Sequence, residues 1–260
     1  MASQPLVLVS SSESVTTVTI NRPEQRNCLT KDTVTELVRA FELTSKDPTV
    51  RCVLLRGAGS EAFCAGADLR ELIDNASPES RRALFDSIAT LIEKIHRCPV
   101  PVVALVHGFA MAGGCGIAAA CDITVASDDA TFGLPEVGIG LAPMVVMAPI
   151  SRVLSRKSLS YLVLTGERIP AKRALEMGLV SRVVAKAQAD SESLTVCKEL
   201  CMQSPVALRA SKAKMLEVAE REYFPLLHEL ADESALISLS PDAVEGMKAF
   251  VEKRPPAWRV

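Results

Sequence analysis

Pro101-Val102-Val103-Ala104-Leu105-Val106-His107-Gly108-Phe109-Ala110-Met111-Ala112-Gly113-Gly114-Cys115-Gly116-Ile117-Ala118-Ala119-Ala120 joins an aliphatic run, a glycine-rich bend and an alanine-rich run. The first part reads as a buried strand and the last as a helix. A helix that starts in such a bend leaves N–H groups unpaired and turns its positive dipole end toward it. An oxyanion or a phosphate can be held there. Close packing of helix on strand is the alternative use of so many small residues.

Working outward, Asp122 to Ala126 is a further strand, and a helix over 78–97 precedes the quoted stretch. Before that come an apolar strand over 50–56 and a helical period over 30–44, with Val34, Leu37, Val38, Phe41 and also Leu43 expected on its apolar side. Thr30 is its candidate N-cap. Two alternating runs, Leu6 to Val9 and Val15 to Ile20, broken over 10–14, predict a β-hairpin. Strands and helices in turn argue for an α/β core with right-handed crossovers. After about Pro143 the pattern reads almost wholly helical, over 155–164, 171–177, 188–202, 206–220, 222–239 and 242–253. The expected division is a core over 1–199 and a helical region over 200–260. No internal repeat is evident in the residues.

At 260 residues the chain suffices for one large domain with an appendage. With 29 Lys+Arg against 31 Asp+Glu it offers no broad positive field for nucleic acid or an anionic membrane, so a small substrate is expected. No apolar run reaches membrane-spanning length and the start carries no leader pattern, so a cytoplasmic location is expected. The eight cysteines lack paired zinc-type spacing; Cys197 and Cys201 lie one helical turn apart with no second pair. They read as reduced thiols, with no metal expected.

Two other segments place a turn where a ligand could meet the chain. Ala62-Phe63-Cys64-Ala65-Gly66-Ala67-Asp68-Leu69 follows a strand and a Gly-rich turn, and its small residues allow close approach to the main chain. Asp68 there either serves a ligand or caps the next helix. In Ala130-Thr131-Phe132-Gly133-Leu134-Pro135-Glu136-Val137-Gly138-Ile139-Gly140 one carboxylate stands in a small, apolar run. Partial desolvation would raise its pKa and suit it to proton transfer near neutrality, unless it only satisfies loop N–H groups. Neither glycine segment is a P-loop or a dinucleotide fingerprint.

In this order the three segments resemble the crotonase superfamily, also called the enoyl-CoA hydratase/isomerase family. The resemblance runs from Ile20-Asn21-Arg22-Pro23 to Glu245-Gly246-Met247-Lys248-Ala249-Phe250-Val251-Glu252-Lys253-Arg254, through Ala120-Cys121-Asp122-Ile123, Leu164-Thr165-Gly166-Glu167-Arg168-Ile169 and Ala174-Leu175-Glu176-Met177-Gly178-Leu179-Val180. It implies a spiral of repeated ββα units with a C-terminal helical trimerisation region, and a homotrimer or dimer of trimers. It implies an acyl-CoA thioester substrate, with coenzyme A as part of the substrate and no other cofactor. Backbone N–H groups of Ala67 and Gly113 would hold the thioester oxygen, and Glu136 would move protons. Arg22, Gln25, Arg26, Ala65, Asp68, Leu69 and Arg70 would line the CoA loops. Phe250 and Lys253 would close the adenine and phosphate end, in this subunit's site or a neighbour's.

This sequence departs from the resemblance in two places. Hydratases of the best-known kind use two glutamates to position and activate water, and the place of the first is Gly116 here. The second, twenty residues on, is Glu136. One carboxylate suffices to take a proton from one carbon and return it to another, as in Δ3,Δ2-enoyl-CoA isomerases. Hydration would need a partner for Glu136, with His107 and Asp68 as candidates, each more often structural. A lapsed acyl-CoA-binding or scaffold protein is the alternative from another class. The second departure is Leu141-Ala142-Pro143-Met144-Val145-Val146-Met147, where the family commonly has a glycine-rich turn; Met144, Val145 and Met147 favour a hydrocarbon acyl group.

Overall fold

The structure, a computed structural model, describes residues 4–75, 77–219 and 223–257. Residues 1–3, with Glu220 and Glu222 where two helix ends were expected, lie outside the described residues. The hairpin forms from β1 (Val7–Ser12) and β2 (Val15–Ile20). They pair antiparallel from Val7 with Ile20 to Ser12 with Val15, so β1 runs further than expected, through Ser12. Helix α1 (Lys31–Lys46) starts where its cap predicts, Thr30 accepting the Thr33 N–H, and buries Val34, Leu37 and Phe41.

A three-part unit then recurs. It is a longer strand, a short strand and helix: β3 (Cys52–Gly57), β4 (Ala62–Cys64), then α2 (Leu69–Asp74) and α3 (Pro78–His96). Next come β5 (Val102–Val106), β6 (Phe109–Met111) and α4 (Gly113–Ala120). The third unit has β7 (Ile123–Ser127), β8 (Thr131–Gly133) and α5 (Met144–Val153). Each turn of this spiral adds one strand to each of two sheets. The larger has the order β1-β2-β3-β5-β7-β10 and the smaller β4-β6-β8-β9. From β2 to β10 neighbours in the larger sheet are parallel.

The expectation of an almost wholly helical chain after about Pro143 is corrected by two strands. Besides α6 (Arg156–Thr165) and α7 (Ala171–Met177), it contains β9 (Arg168–Pro170) and β10 (Arg182–Val184). Three residues are too few to display a period of two, and these strands exist by pairing with β8 and β7. The short strands β4, β6 and β8 escape sequence patterning for the same reason.

The larger sheet is buried on both faces. Val18, Val53, Leu55, Val102 and Ala104 join the main core, while Leu54, Val103, Leu105 and Val125 pack against Val196 and Cys197 of α8 (Ala189–Cys201). This explains the unbroken aliphatic runs of β3 and β5. Helix α9 (Pro205–Ala219) is tethered by Lys212, whose Nζ donates to Asp122 at 2.6 Å and to the Val100 carbonyl at 3.0 Å. Helices α10 (Tyr223–Ile237) and α11 (Pro241–Val251) place Leu227, Ala231, Ala243 and Met247 in the main core. No helix among the described residues is long and apolar enough to cross a membrane.

Candidate active site

The loop after β2 and the loop after β4 are tied together by backbone. Asn27 is fully buried; its Oδ1 accepts the Arg22 N–H, and its Nδ2 donates to the carbonyls of Ala58 and Ala62 at 2.9 and 2.7 Å. Ala65 N–H donates to Arg26 O, Leu29 N–H to Gly66 O, and Asp68 N–H to Leu29 O, at 2.8 to 3.0 Å. The last two bonds flank Ala67, which bridges Leu29 in parallel. Backbone groups alternate along an extended segment, so the Ala67 N–H faces away from Leu29.

Gly113 is the first residue of α4, so its N–H has no acceptor inside the helix. The two peptide segments touch: a Cβ placed on Gly66 would lie 3.3 Å from the Gly113 nitrogen and 2.7 Å from the Ala112 Cβ. Only glycine combines that approach with the φ of +95° at position 66. Ala112 itself is held at φ 50°, ψ −119°, a conformation that costs a non-glycine residue about 1–3 kcal/mol. Its N–H bond to Gly133 O at 2.9 Å and its carbonyl's bond from Gly116 N–H at 3.1 Å hold it there.

Glu136 sits in a 3-10 turn, Pro135–Ile139, closed by Gly140. Helix α11 packs against this turn, so closely that a Cβ on Gly140 would meet the Asp242 carbonyl at 2.5 Å. The Glu136 side chain is 8% exposed and its Oε2 has no hydrogen-bond partner. Loss of water pushes the carboxyl up to about 8, against a small opposing pull from its own backbone N–H. Cys115, in the first turn of α4, is pushed up to about 12 by burial and then by the Glu136 charge.

These groups border one cavity of about 790 Å³, within the range of small-molecule sites. Gln25, Arg26, Ala65, Ala67, Asp68, Leu69, Arg70, Gly113, Glu136, Phe250 and Lys253 all line it. Arg22 does not. Its guanidinium instead pairs with Asp68 at 3.1 Å and donates to Cys28 O at 2.6 Å. Asp68 also accepts the Arg70 N–H at 3.2 Å, capping α2, so the capping role is realised in a residue that faces the cavity. Phe250 and Lys253 border their own chain's cavity.

His107 is buried with Nε2 unpartnered, its pKa lowered by burial and then by the Arg56 charge, and it does not border the cavity. Met144 and Val145 line the cavity; Met147 does not. Sequence reasoning missed Phe85 and Ile88 of α3 and Ser234 of α10, which line it beside Val146. Their helices carry ordinary apolar patterns, so no sequence signal separates them from core. Arg168, whose guanidinium lies 6.0 Å from the Phe109 ring centroid, also borders the cavity. No group of three or more His, Cys, Asp or Glu among the described residues could hold a metal ion.

Chemically, the residues of two backbone amides and one desolvated carboxyl border the same cavity, with cationic side chains at Arg26, Arg70 and Lys253 and aliphatic ones at Leu72, Ile88 and Val145. Such a cavity suits a long ligand with an anionic end, a polarisable carbonyl and an apolar end.

Residues 10–260 match the family model for enoyl-CoA hydratase/isomerase. A crotonyl-CoA hydratase of Syntrophomonas wolfei is 33% identical over 251 residues, covering 95% of each chain. A short-chain-enoyl-CoA hydratase of Clostridium acetobutylicum is 33% identical, with 95% of each chain covered. The crystal structure of an enoyl-CoA hydratase from Mycobacterium avium subsp. paratuberculosis superimposes with a TM-score of 0.87 at 33% identity, covering 98% of this chain and 99% of that one.

Proposed function

The chain belongs to the enoyl-CoA hydratase/isomerase family, and on that premise we propose that it acts on enoyl-CoA thioesters through an enolate. The Ala67 and Gly113 N–H groups hold the thioester oxygen, and Glu136 is both general base and general acid. The observation that carries this reading is the buried, unpartnered Glu136 Oε2 in the same cavity as those two amides.

A thioester α-proton is acidic only if the enolate oxygen is stabilised. Donors fixed in a water-poor site do this without reorganising, typically worth a few kcal/mol for each. Glu136, desolvated and neutral-leaning at pH 7, is matched to taking a carbon-bound proton and giving it back. Gln25, Arg26, Ala65, Asp68, Leu69 and Arg70 bind the CoA arm, and Phe250 and Lys253 close its nucleotide end. Arg22 serves this site through Asp68. The reactions open to such a site are addition of water to a 2-enoyl-CoA and migration of a double bond between C3 and C2.

Assembly as a homotrimer or dimer of trimers is part of the proposal. Exposed apolar side chains at Val153, Tyr161, Leu164 and Leu175 support it, and light scattering should give a mass of three or six chains. Activity is tested by offering 2-enoyl- and 3-enoyl-CoA series to the wild type and to Glu136→Gln. Full activity in the variant refutes the role of Glu136. Tight acyl-CoA binding without turnover of any thioester points instead to a binding or scaffold protein.

A further inference from the structure

We propose that Val146 decides which of the two reactions this site performs, by keeping its part of the cavity that Glu136 also lines dry, so that the enzyme moves double bonds and does not add water. The inference rests on the reading of Glu136 as the proton carrier.

Gly116 lies in α4 with its α-carbon facing α5. A Cβ built there would stand 2.5 Å from Val146 Cγ1, 2.6 Å from its Cβ and 3.2 Å from its Cα. Val146 is 5% exposed and lines the cavity, whereas Gly116 does not border it. The valine isopropyl group therefore fills the space that a side chain at position 116 would take, and stands between Gly116 and the cavity that Gly113 borders. The neighbouring wall is Val145, Leu141 and Ile139, all aliphatic.

A water poised for attack on the substrate's third carbon needs two to four polar partners. Glu136 supplies one. The Ala67 and Gly113 N–H groups are spent on the thioester oxygen, and Ser234, the hydroxyl that lines the cavity, donates to Leu230 O at 2.8 Å and accepts from Val145 N–H at 3.3 Å. A water beside Val146 would leave most of its hydrogen bonds unmade.

Double-bond migration has no such requirement. Glu136 takes a proton from C2 of a 3-enoyl thioester; the C2–H pair becomes the C1–C2 double bond and the carbonyl π pair moves onto the oxygen held by the two N–H groups, giving a dienolate. As the C1=O bond re-forms, the C1–C2 π pair moves to C2–C3 and the C3–C4 π pair takes the same proton, returned to C4. Nothing is oxidised or reduced, and water does not enter.

The test uses the full chain with 3-enoyl-CoA and 2-enoyl-CoA in ¹⁸O-water. Hydroxyacyl-CoA and enoyl-CoA products are separated by mass. Wild type, Glu136→Gln, Val146→Ser, Gly116→Glu and Gly116→Glu/Val146→Gly are compared, each with a thermal melt. Wild type should convert 3-enoyl- to 2-enoyl-CoA without ¹⁸O. Val146→Ser, which opens the space and adds a hydroxyl, should raise the hydroxyacyl-to-enoyl ratio at least tenfold. Gly116→Glu should melt earlier than wild type, and Val146→Gly in the same chain should restore part of the loss.

Wild-type formation of ¹⁸O-labelled hydroxyacyl-CoA, or an unchanged ratio in folded Val146→Ser, overturns the inference alone. No turnover by any variant, or turnover that survives Glu136→Gln, overturns the underlying reading as well.

Discussion

Replacing Glu136 by Gln should make the protein more stable as well as inactive, and the gain should grow with pH. In the folded chain the carboxyl ionises at about 8, against an ordinary 4.5 once unfolding returns it to water. Between those values the folded state holds one more proton than the unfolded state. Stability therefore falls as pH rises, by about 1.4 kcal/mol per pH unit from this group. The accumulated loss is on the order of 5 kcal/mol, reached above pH 8 and absent below the unfolded value. A Gln side chain keeps the shape and does not titrate. The stability difference between Glu136→Gln and wild type should be near zero at pH 4 and climb to several kcal/mol by pH 9. Urea unfolding of both proteins at equal concentration across that range measures it, because other titrating groups cancel in the difference. In parallel, kcat/KM of the wild type should rise with pH toward about 8 as the base ionises, and the variant should lose roughly 10²- to 10⁴-fold. A difference that stays flat from pH 4 to 9 would refute the desolvated, unpartnered state of Glu136 on which the reasoning stands.

Arg70→Ala and Lys253→Ala should raise KM for acyl-CoA several-fold, with the effect shrinking in salt; kinetics with a thioester truncated before the nucleotide should show no such rise. Asp68→Ala removes both the 3.1 Å pair with Arg22 and the cap on α2, and should cost about 1–2 kcal/mol. A double-mutant cycle with Arg22→Ala should then give a coupling of at least about 0.5 kcal/mol, since the pair is mostly buried. Gly114→Ala would put a Cβ 2.1 Å from the Cys64 carbonyl oxygen, a backbone atom that cannot swing aside as a side chain could. A loss of at least about 2 kcal/mol in a denaturation curve is expected.

The sequence by itself determined the long elements and the segments of the site. Aliphatic runs marked β3 and β5, Thr30 capped α1, and the order of Ala65 to Leu69, Gly113 and Glu136 carried the family. These signals are local, because strand burial, caps and turns are written within a few residues. Only the tertiary structure decided the rest. Strands β4, β6, β8, β9 and β10 have three residues each and exist through their neighbours, so no local pattern marks the second sheet, and the spiral was expected only through the family resemblance. Arg22, which the sequence placed in the CoA loops, turned out to hold Asp68 from behind the cavity wall. Phe85 and Ile88 reach the cavity from α3 and Ser234 from α10, a helix far along the chain. Gly116 shows the division most clearly. Its identity announces a missing carboxylate, but that the space is filled by Val146 follows from how α4 packs on α5, and no local pattern encodes that contact.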